Sequence, residues 1–219
     1  MEMPDLSRGD AAGTRRYVSP KREEQAKATR QAILEAARRL FTSNSYGTTS
    51  IREIAEEAGV AVQTFYAVFG NKRQLLIEMV ESAITGEDEL AATERPEVQA
   101  IRDEPDPRRR AQLDAALARK ITERLLPVFK ITSDAAAVDA DFAELNRAMI
   151  ARRRAEMVVA ANLLAGDGGL RGNPDNAAAS LFVLYSPHVA QLLIEHLGWS
   201  YDRYEKWLAD AIHRLVLND

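Results

Sequence analysis

Residues 48–76, TTSIREIAEEAGVAVQTFYAVFGNKRQLL, decide the fold of this chain. Ser50 and Glu53 have the spacing of a capping box, in which each side chain satisfies a free backbone N–H and a helix begins. Gly59 predicts the end of that helix, because glycine readily adopts the positive φ found just beyond a helix C-terminus. A second short helix is predicted from Val62 to Phe69. The stretch therefore predicts two short helices joined by a turn of three or four residues.

This layout is typical of a helix-turn-helix, in which the first helix braces a second helix that enters the major groove of DNA. The major groove is about 12 Å wide and admits one α-helix. The residues that fit the packing between the two helices are Ala55, Val60 and Phe65. The face of the second helix left for bases and phosphates carries Gln63, Thr64 and Tyr66. Glutamine is one of the side chains that pairs with adenine through two hydrogen bonds.

Three residues around the two helices are candidates for phosphate contacts. Thr48 and Thr49 lie at a helix N-terminus, where hydroxyl groups, free backbone N–H groups and the positive end of the helix dipole attract anions. Lys72 lies near the start of the next predicted helix and would attract phosphate by its charge. Thr49 is expected to be a helix cap in either case, with the DNA contact as an additional role. For the exposed polar face of the second helix the alternative is a solvated helix surface.

The rest of the chain is predicted to be all-α, with about nine helices in total. We expect an arm over residues 1–20, a helix-turn-helix domain over 21–86 and a C-terminal domain over 87–219. Within the last, residues 87–107 are charged and rich in proline, as in a linker. The predicted helices that follow run from Arg108 to Leu126, Ala140 to Leu164, Pro174 or Asp175 to Leu197, and Ser200 to Leu217. Pro127 is expected to stop the first of these, and Pro187 to kink the third.

Composition excludes several classes of site. Of the 219 residues, 46% are apolar, which is enough to bury a core. The chain has no cysteine, which excludes disulfides, cysteine-ligated metals and thiol catalysis. Residues 1–10 contain no apolar stretch of the signal-peptide type, and no apolar run approaches the roughly 20 residues that span a bilayer. We expect a cytoplasmic protein that needs no metal or cofactor and is not an enzyme.

Charge is divided unevenly along the chain. Residues 15–86 carry 11 Lys and Arg against 8 Asp and Glu, whereas residues 87–219 carry 17 against 22. A mildly basic N-terminal part on a more acidic body is expected where only one end of a protein meets phosphates. The arginine runs 108–110 and 152–154 are interpreted as solvated helix faces rather than a second nucleic-acid surface.

Residues 25–85 resemble the DNA-binding domain of the tetracycline-repressor (TetR) family of bacterial transcriptional regulators. The matching residues are Ile33, Ala37, Phe41, Gly47, Thr49, Ile54, Ala55, Ala58, Gly59, Val60, Phe65, Tyr66, Phe69, Lys72, Leu75 and Leu76. One position departs from the family pattern: Ala61 stands where a small hydroxyl residue often caps the recognition helix. The departure puts one capping and phosphate contact at Ala61 in question.

The resemblance implies an all-helical homodimer with one N-terminal DNA-binding domain per subunit and a C-terminal domain that holds a ligand cavity and the dimer interface. Many such proteins are repressors that leave a palindromic operator when a small molecule binds. By this likeness Thr49, Gln63, Thr64, Tyr66 and Lys72 would contact DNA, and Phe65 would face the core. The basic arm residues expected near the DNA backbone or minor groove are Arg15, Arg16, Lys21 and Arg22.

The last two predicted helices carry apolar surfaces that are wider than one core needs, which favours a four-helix dimer interface. The first surface consists of Leu181, Phe182, Leu184, Tyr185, His188, Val189, Leu192 and Leu193. The second consists of Tyr204, Trp207, Leu208, Ala211, Ile212, Leu215 and Val216. Candidates for the ligand cavity, with ordinary core packing as the alternative, are Phe129, Phe142, Asn146, Met149, Ile150, Tyr185 and His188.

Two other functions remain open at this point. One is a helical protein that binds or senses a small molecule without specific DNA binding. The other is an enzyme or a structural scaffold, although no residue pattern marks a catalytic group. Loss of DNA binding on Tyr66→Ala would separate a regulator from the first alternative.

Overall fold

The computed structural model describes residues 20–86, 94–166 and 169–218, and nearly all of them are helical. The helices are α1 (Pro20–Asn44), α2 (Ile51–Glu57), α3 (Val62–Phe69), α4 (Lys72–Thr85), α5 (Pro96–Asp103), α6 (Pro107–Val138), α7 (Ala140–Ala165), α8 (Pro174–Leu184), α9 (Pro187–Gln191) and α10 (Tyr201–Val216). A π-helical turn, Leu192–His196, continues α9. The only β-type pairing in the described residues is an isolated bridge between Leu170 and Leu217. The all-α prediction is confirmed.

One apolar cluster holds α1–α4 together and reaches into the C-terminal half of the chain. Ile33 of α1, Ile54 of α2 and Phe65 of α3 are fully buried in it. The same cluster contains Val128, Ile131 and Ala135 of α6 and Phe142 of α7. The N-terminal helices therefore rest on the second half of α6, mainly through α4 and in part through α1.

A second apolar cluster joins α5, the first half of α6, the end of α7, α8, α9 and α10. At its edge the side chain of Arg110, only 4% exposed, donates to the carbonyl oxygens of Leu164 at 3.0 Å and Ala165 at 3.1 Å. A cation at these carbonyls satisfies the free acceptors at the C-terminus of α7. Gly166 lies against this guanidinium, and a Cβ there would clash with Arg110 Nη1.

The prediction that Pro127 ends a helix is wrong, because α6 continues through it to Val138. Pro127 has no N–H for the carbonyl of Glu123, a loss that costs about 3 kcal/mol in a helix interior. The ring and Glu123 are both exposed, so water can bond that carbonyl. Leu126, Val128 and Ile131 on the other face are buried. Burial on both sides of the proline holds the helix together.

Two further predictions of helix bounds need correction. The stretch expected to be a linker contains α5, whose Ile101 is fully buried; residues 87–93 lie outside the described residues. The helix predicted from Pro174 to Leu197 is broken rather than kinked before Pro187, with Ser186 in an extended conformation at ψ 129°. The residue before a proline rarely adopts the α conformation. Ser186 therefore interrupts the helix, and Pro187 begins a new one.

Across the described residues, no single helix combines the length and the hydropathy needed to cross a membrane. One bent pair, Pro174–Leu184 with Pro187–His196, reaches both only when its two helices, inclined at 42°, are taken together.

Candidate nucleic-acid interface

The turn between α2 and α3 is fixed at both helix ends. The predicted capping box is confirmed: the backbone N–H of Ser50 donates to Glu53 Oε2 at 2.7 Å, and the N–H of Glu53 donates to Ser50 Oγ at 3.2 Å. Gly59 takes φ +67°, as predicted for a residue that closes a helix. The N–H of Val60 then donates back to the carbonyl of Ala55 at 2.9 Å. This geometry sets the angle at which α3 leaves α2.

The two faces of α3 are sharply different. Phe65 and Phe69 are buried in the first apolar cluster, as expected for Phe65. On the other face Gln63 is exposed, Tyr66 is 51% exposed and Thr64 is half-buried. The ring of Tyr66 meets Phe65 edge-on, with centroids 5.9 Å apart, while half of the residue stays exposed. The helix thus presents a polar face with room for a groove.

Thr48 and Thr49 differ in exposure. Thr49 is only 2% exposed, and its hydroxyl donates to the carbonyl of Ser45 at 2.8 Å. It is not the cap of α2, since Ser50 takes that position. Thr48 is exposed, and its hydroxyl bonds the carbonyl of Asn44 and lies 3.2 Å from Ser45 Oγ. Thr48 therefore carries the exposed hydroxyl of this turn, but its one hydrogen is donated to Asn44 and would have to leave that carbonyl to reach a phosphate. Thr49 braces the turn from inside.

Lys72 is also placed differently from the expected free charge. Its ammonium donates to the carbonyls of Tyr46 at 2.8 Å and Thr49 at 2.9 Å, and lies 4.2 Å from the centre of the Tyr46 ring. Burial lowers the pKa of Lys72, and the nearby carboxylate of Asp139 opposes that effect. Because an ammonium has three donors, one remains for a phosphate. The main observed role of Lys72 is to tie the α1–α2 turn to the start of α4.

The remaining positions predicted to contact DNA lie at the ends of helices. Ala61 is the exposed N-cap of α3 and provides no side-chain hydrogen bond there. Lys21 and Arg22 are exposed in the first turn of α1. Arg15 and Arg16, and the arm over residues 1–20 apart from the start of α1 at Pro20, lie outside the described residues.

Three of the seven predicted ligand residues belong to the two apolar clusters or pack on them. Phe142 is buried and Met149 half-buried in the first cluster, whereas Tyr185 packs on the second. Phe129 and His188 are brought together, with ring centroids 4.6 Å apart. Asn146 is half-buried and Ile150 is 48% exposed.

A buried acid pair was missed by the sequence analysis. Asp114 of α6 is 9% exposed and accepts a hydrogen bond from the hydroxyl of Tyr185. Burial raises the pKa of Asp114 to about 6, and the hydrogen bond from Tyr185 opposes that rise. Burial and the Asp114 carboxylate together raise the pKa of Tyr185. An available signal was that Asp114 lies on the same helical stripe as Ala111 and Ala115, both fully buried.

The apolar surfaces predicted on the last two helices are narrower than expected. Tyr204, Leu208, Ile212 and Val216 are fully buried within one chain. The large apolar side chains that stay exposed on α8, α9 with its π turn, and α10 are Val183, Leu192, Leu197 and Leu215. A partner at this face would therefore meet these four side chains together with the half-buried apolar residues of the predicted surfaces, Phe182, Val189, Leu193, Trp207 and Ala211.

Known proteins match the helix-turn-helix part of this chain in sequence and most of the chain in fold. Residues 33–79 match the family described as bacterial regulatory proteins, tetR family. The HTH-type transcriptional regulator TtgR of Pseudomonas putida is 36% identical over 85 residues, which are 39% of this chain and 38% of TtgR. The aligned part thus spans about two-fifths of the length of that curated relative.

Solved structures match nearly the whole chain in fold. NalD, the secondary repressor of the MexAB-OprM multidrug efflux pump in Pseudomonas aeruginosa, superimposes with a TM-score of 0.62 and 23% identity, over 90% of this chain and 99% of NalD. The SmeT–triclosan complex gives a TM-score of 0.63 and 22% identity, over 88% of this chain and 93% of SmeT. The helix-turn-helix of this chain is thus similar in sequence to the tetR family of bacterial regulatory proteins, and the chain as a whole shares the fold of NalD and SmeT.

Proposed function

We propose that this chain is a DNA-binding transcriptional regulator that works as a homodimer and is released from its operator by a small molecule. The observation that carries the proposal is the asymmetry of α3, whose apolar face is buried while Gln63 and Tyr66 stand exposed. The relatives named as a transcriptional regulator and as a repressor support this function. Its place of action is the cytoplasm, where bacterial DNA lies.

The proposed DNA contacts divide into two kinds. Gln63 and Tyr66, with Thr64 beside them, read base edges or neighbouring phosphates in the major groove. The second kind of contact positions the domain on phosphates and is made by Thr48, by the N-terminus of α3 at Ala61 and by the third donor of Lys72. Contacts with phosphates carry no sequence information. Two copies of α3 related by a two-fold axis would meet half-sites about 34–36 Å apart, or a multiple of that spacing.

The proposed effector site lies in the C-terminal domain. The observation that SmeT has been solved with triclosan supports a small-molecule site on this fold. In this chain the candidate residues are the predicted set around Phe129, Asn146 and His188, with Tyr185 and its partner Asp114. In some conformations of the dimer, the spacing of the two α3 helices does not match the half-sites. A ligand that binds such a conformation better lowers the affinity for DNA, and DNA lowers the affinity for the ligand by the same factor.

The test is a fluorescence-anisotropy titration of the purified chain against the DNA upstream of its own gene, at several salt concentrations. We expect specific binding that weakens as salt rises, because phosphate contacts release counterions. The variant Gln63→Ala is expected to lose about 1–3 kcal/mol on the preferred sequence and to discriminate less between base substitutions in it.

The matched control is Gln112→Ala, an exposed glutamine of α6 in the C-terminal domain. It is expected to bind DNA like the unaltered chain. The assignment of α3 as the recognition helix is wrong if Gln63→Ala and Gln112→Ala bind all sequences equally well. Absence of any specific binding by the folded protein to this or other bacterial promoter DNA overturns the function itself.

A further inference from the structure

Helix α4 is attached at both of its ends to the α6–α7 unit by charged side chains. We propose that these two attachments, the Asp139 clamp and the Arg124 clamp, fix the helix-turn-helix in position on the C-terminal domain. Asp139 and Arg124 are then positioning residues. Their purpose rests on the proposed function, but the clamps themselves can be tested without DNA.

The Asp139 clamp holds the start of α4. Arg73 Nε lies 3.0 and 2.9 Å from the two carboxylate oxygens of Asp139, and Arg73 Nη2 lies 2.8 Å from Asp141 Oδ2. The hydroxyl of Tyr46, in the α1–α2 turn, donates to Asp139 Oδ2 at 3.2 Å. One carboxylate therefore binds both α4 and the α1–α2 turn.

Asp139 is itself rigidly placed between two long helices. Its backbone N–H donates to the carbonyl of Ala135 at 2.9 Å and ends α6, while its Oδ1 accepts from the N–H of Phe142 at 3.1 Å and begins α7. Burial alone would raise the pKa of Asp139, but hydrogen bonds from Arg73 and Phe142 hold it below its usual value. The carboxylate thus stays charged while it accepts from three groups, and a shift of the α6–α7 junction must move all of them.

The clamp continues into the helix-turn-helix through the neighbour of Arg73. Lys72 bonds the carbonyls of Tyr46 and Thr49, which flank the turn that leads into the Ser50 cap of α2. The chain of contacts runs from the α6–α7 junction through Arg73 and Lys72 to the start of α2. Apart from the peptide link between Arg73 and Lys72, each step is a charge-assisted hydrogen bond, and such bonds are shorter and stronger than neutral ones.

The Arg124 clamp holds the other end of α4. Arg124 of α6 donates from Nε to the carbonyl of Ala83 at 2.9 Å and from Nη2 to that of Ile84 at 3.4 Å. A cation is favoured at these free carbonyls because it meets the negative end of the helix dipole. Gly86 ends the helix at φ +71°, and a Cβ at this position would lie 3.4 Å from the guanidinium carbon of Arg124. Between the clamps, Met79 and Val80 pack in one cluster with Val128 and Ile131 of α6.

Spin-label distances within one chain test the clamps. The chain has no native cysteine, so labels attach only at cysteines introduced at two exposed alanines, Ala67 of α3 and Ala155 of α7. Doubly labelled chain is diluted with unlabelled chain, and the distance distribution is measured by pulsed electron resonance. We expect one narrow distribution for the starting protein, and a broader or shifted one for Asp139→Asn and for Arg124→Ala.

The choice of variants keeps the outcome decisive. Asparagine at 139 still caps α7, since its side-chain oxygen can accept the N–H of Phe142, so Asp139→Asn removes the charge while sparing the helix. The control Arg214→Ala breaks an exposed pair with Asp210 that lies within α10, and should leave the distribution unchanged. If Asp139→Asn, with native helix content, superimposes on the control, the clamp proposal is wrong, whatever Arg124→Ala does.

A second readout separates this inference from the proposed function. On the preferred DNA, Asp139→Asn is expected to bind about 2- to 30-fold more weakly with unchanged base preference, the range typical of residues that act through coupling. Gln63→Ala, by contrast, should alter that preference. Failure of the starting protein to bind DNA would count against the function and leave the distance result to decide the clamps.

Discussion

Asp114 is the residue whose burial has the clearest consequence for stability. Its carboxyl pKa, about 6 in the folded chain, is raised by burial from an ordinary value of about 3.9. The folded state therefore binds the proton more tightly, and the free energy of unfolding falls as pH rises from about 4 to about 6, then levels off. Asp114→Asn should remove this slope and stabilise the chain at pH 7 by up to about 3 kcal/mol.

The measurement is urea unfolding of both proteins between pH 4 and pH 8, with the difference between them taken at each pH. The amide that replaces the carboxyl still accepts from Tyr185 but adds two donors, so part of the gain is lost if they stay unbonded. Asp134→Asn, on the exposed side of α6, serves as control and should run parallel to the unaltered chain. A difference curve for Asp114→Asn that is flat with pH would contradict the assignment.

Residue positions that follow from local pattern were predictable, and those that depend on distant backbone were not. The Ser50–Glu53 cap follows from spacing within one turn and is confirmed. Lys72 was predicted from charge alone, yet its ammonium is engaged by carbonyls 23 and 26 residues earlier in the chain. A sequence shows that Lys72 is charged but not which carbonyls the fold brings to it.

At the level of single helices, α3 lacks the side-chain cap that α2, α4 and α10 have. Ala61 has the extended conformation of an N-cap, φ −69° and ψ 148°, but no side-chain oxygen to accept a backbone N–H. Ala61→Ser supplies one and should stabilise the chain by about 1 kcal/mol. Thermal unfolding checks this against Ala67→Ser, in the exposed middle of α3, which should instead cost about 0.5 kcal/mol. Equal effects of the two serines would show that capping is not what limits α3.

Helix predictions were accurate where the ends have local signals and failed where packing or backbone chemistry competed with them. The bounds of α3, Val62–Phe69, agree with the sequence analysis, and Gly70 ends this helix. Proline ordinarily ends a helix, but α6 continues through Pro127 because the neighbours of Pro127 are buried. At Pro187, by contrast, one helix ends and another begins. The difference is the tertiary environment, which the sequence of one segment does not contain.

For the whole molecule, the proposed symmetric pairing depends on a small apolar rim. The apolar faces of α8 and α10, which were predicted to be wide, are largely buried in the second apolar cluster of the same chain. Val183 remains 57% exposed, Leu192 55% and Leu215 54%. Exposed apolar side chains that share one face of a helical protein mark an interaction surface when they are contiguous. We therefore propose that two copies pair through these exposed residues, and substitution of one of them tests the pairing.

Leu215→Glu tests that pairing. In an interface of two-fold symmetry one substitution acts twice, and a carboxylate buried without a partner costs several kcal/mol. We expect the unaltered chain to sediment at twice its mass of 24.3 kDa, and Leu215→Glu to sediment as a single chain with its helix content intact. Val138→Glu, at an apolar residue 67% exposed at the far end of α6, should stay paired. The interface lies elsewhere if both variants remain dimers, and the homodimer proposal itself falls if the unaltered chain is monomeric at concentrations where it binds DNA.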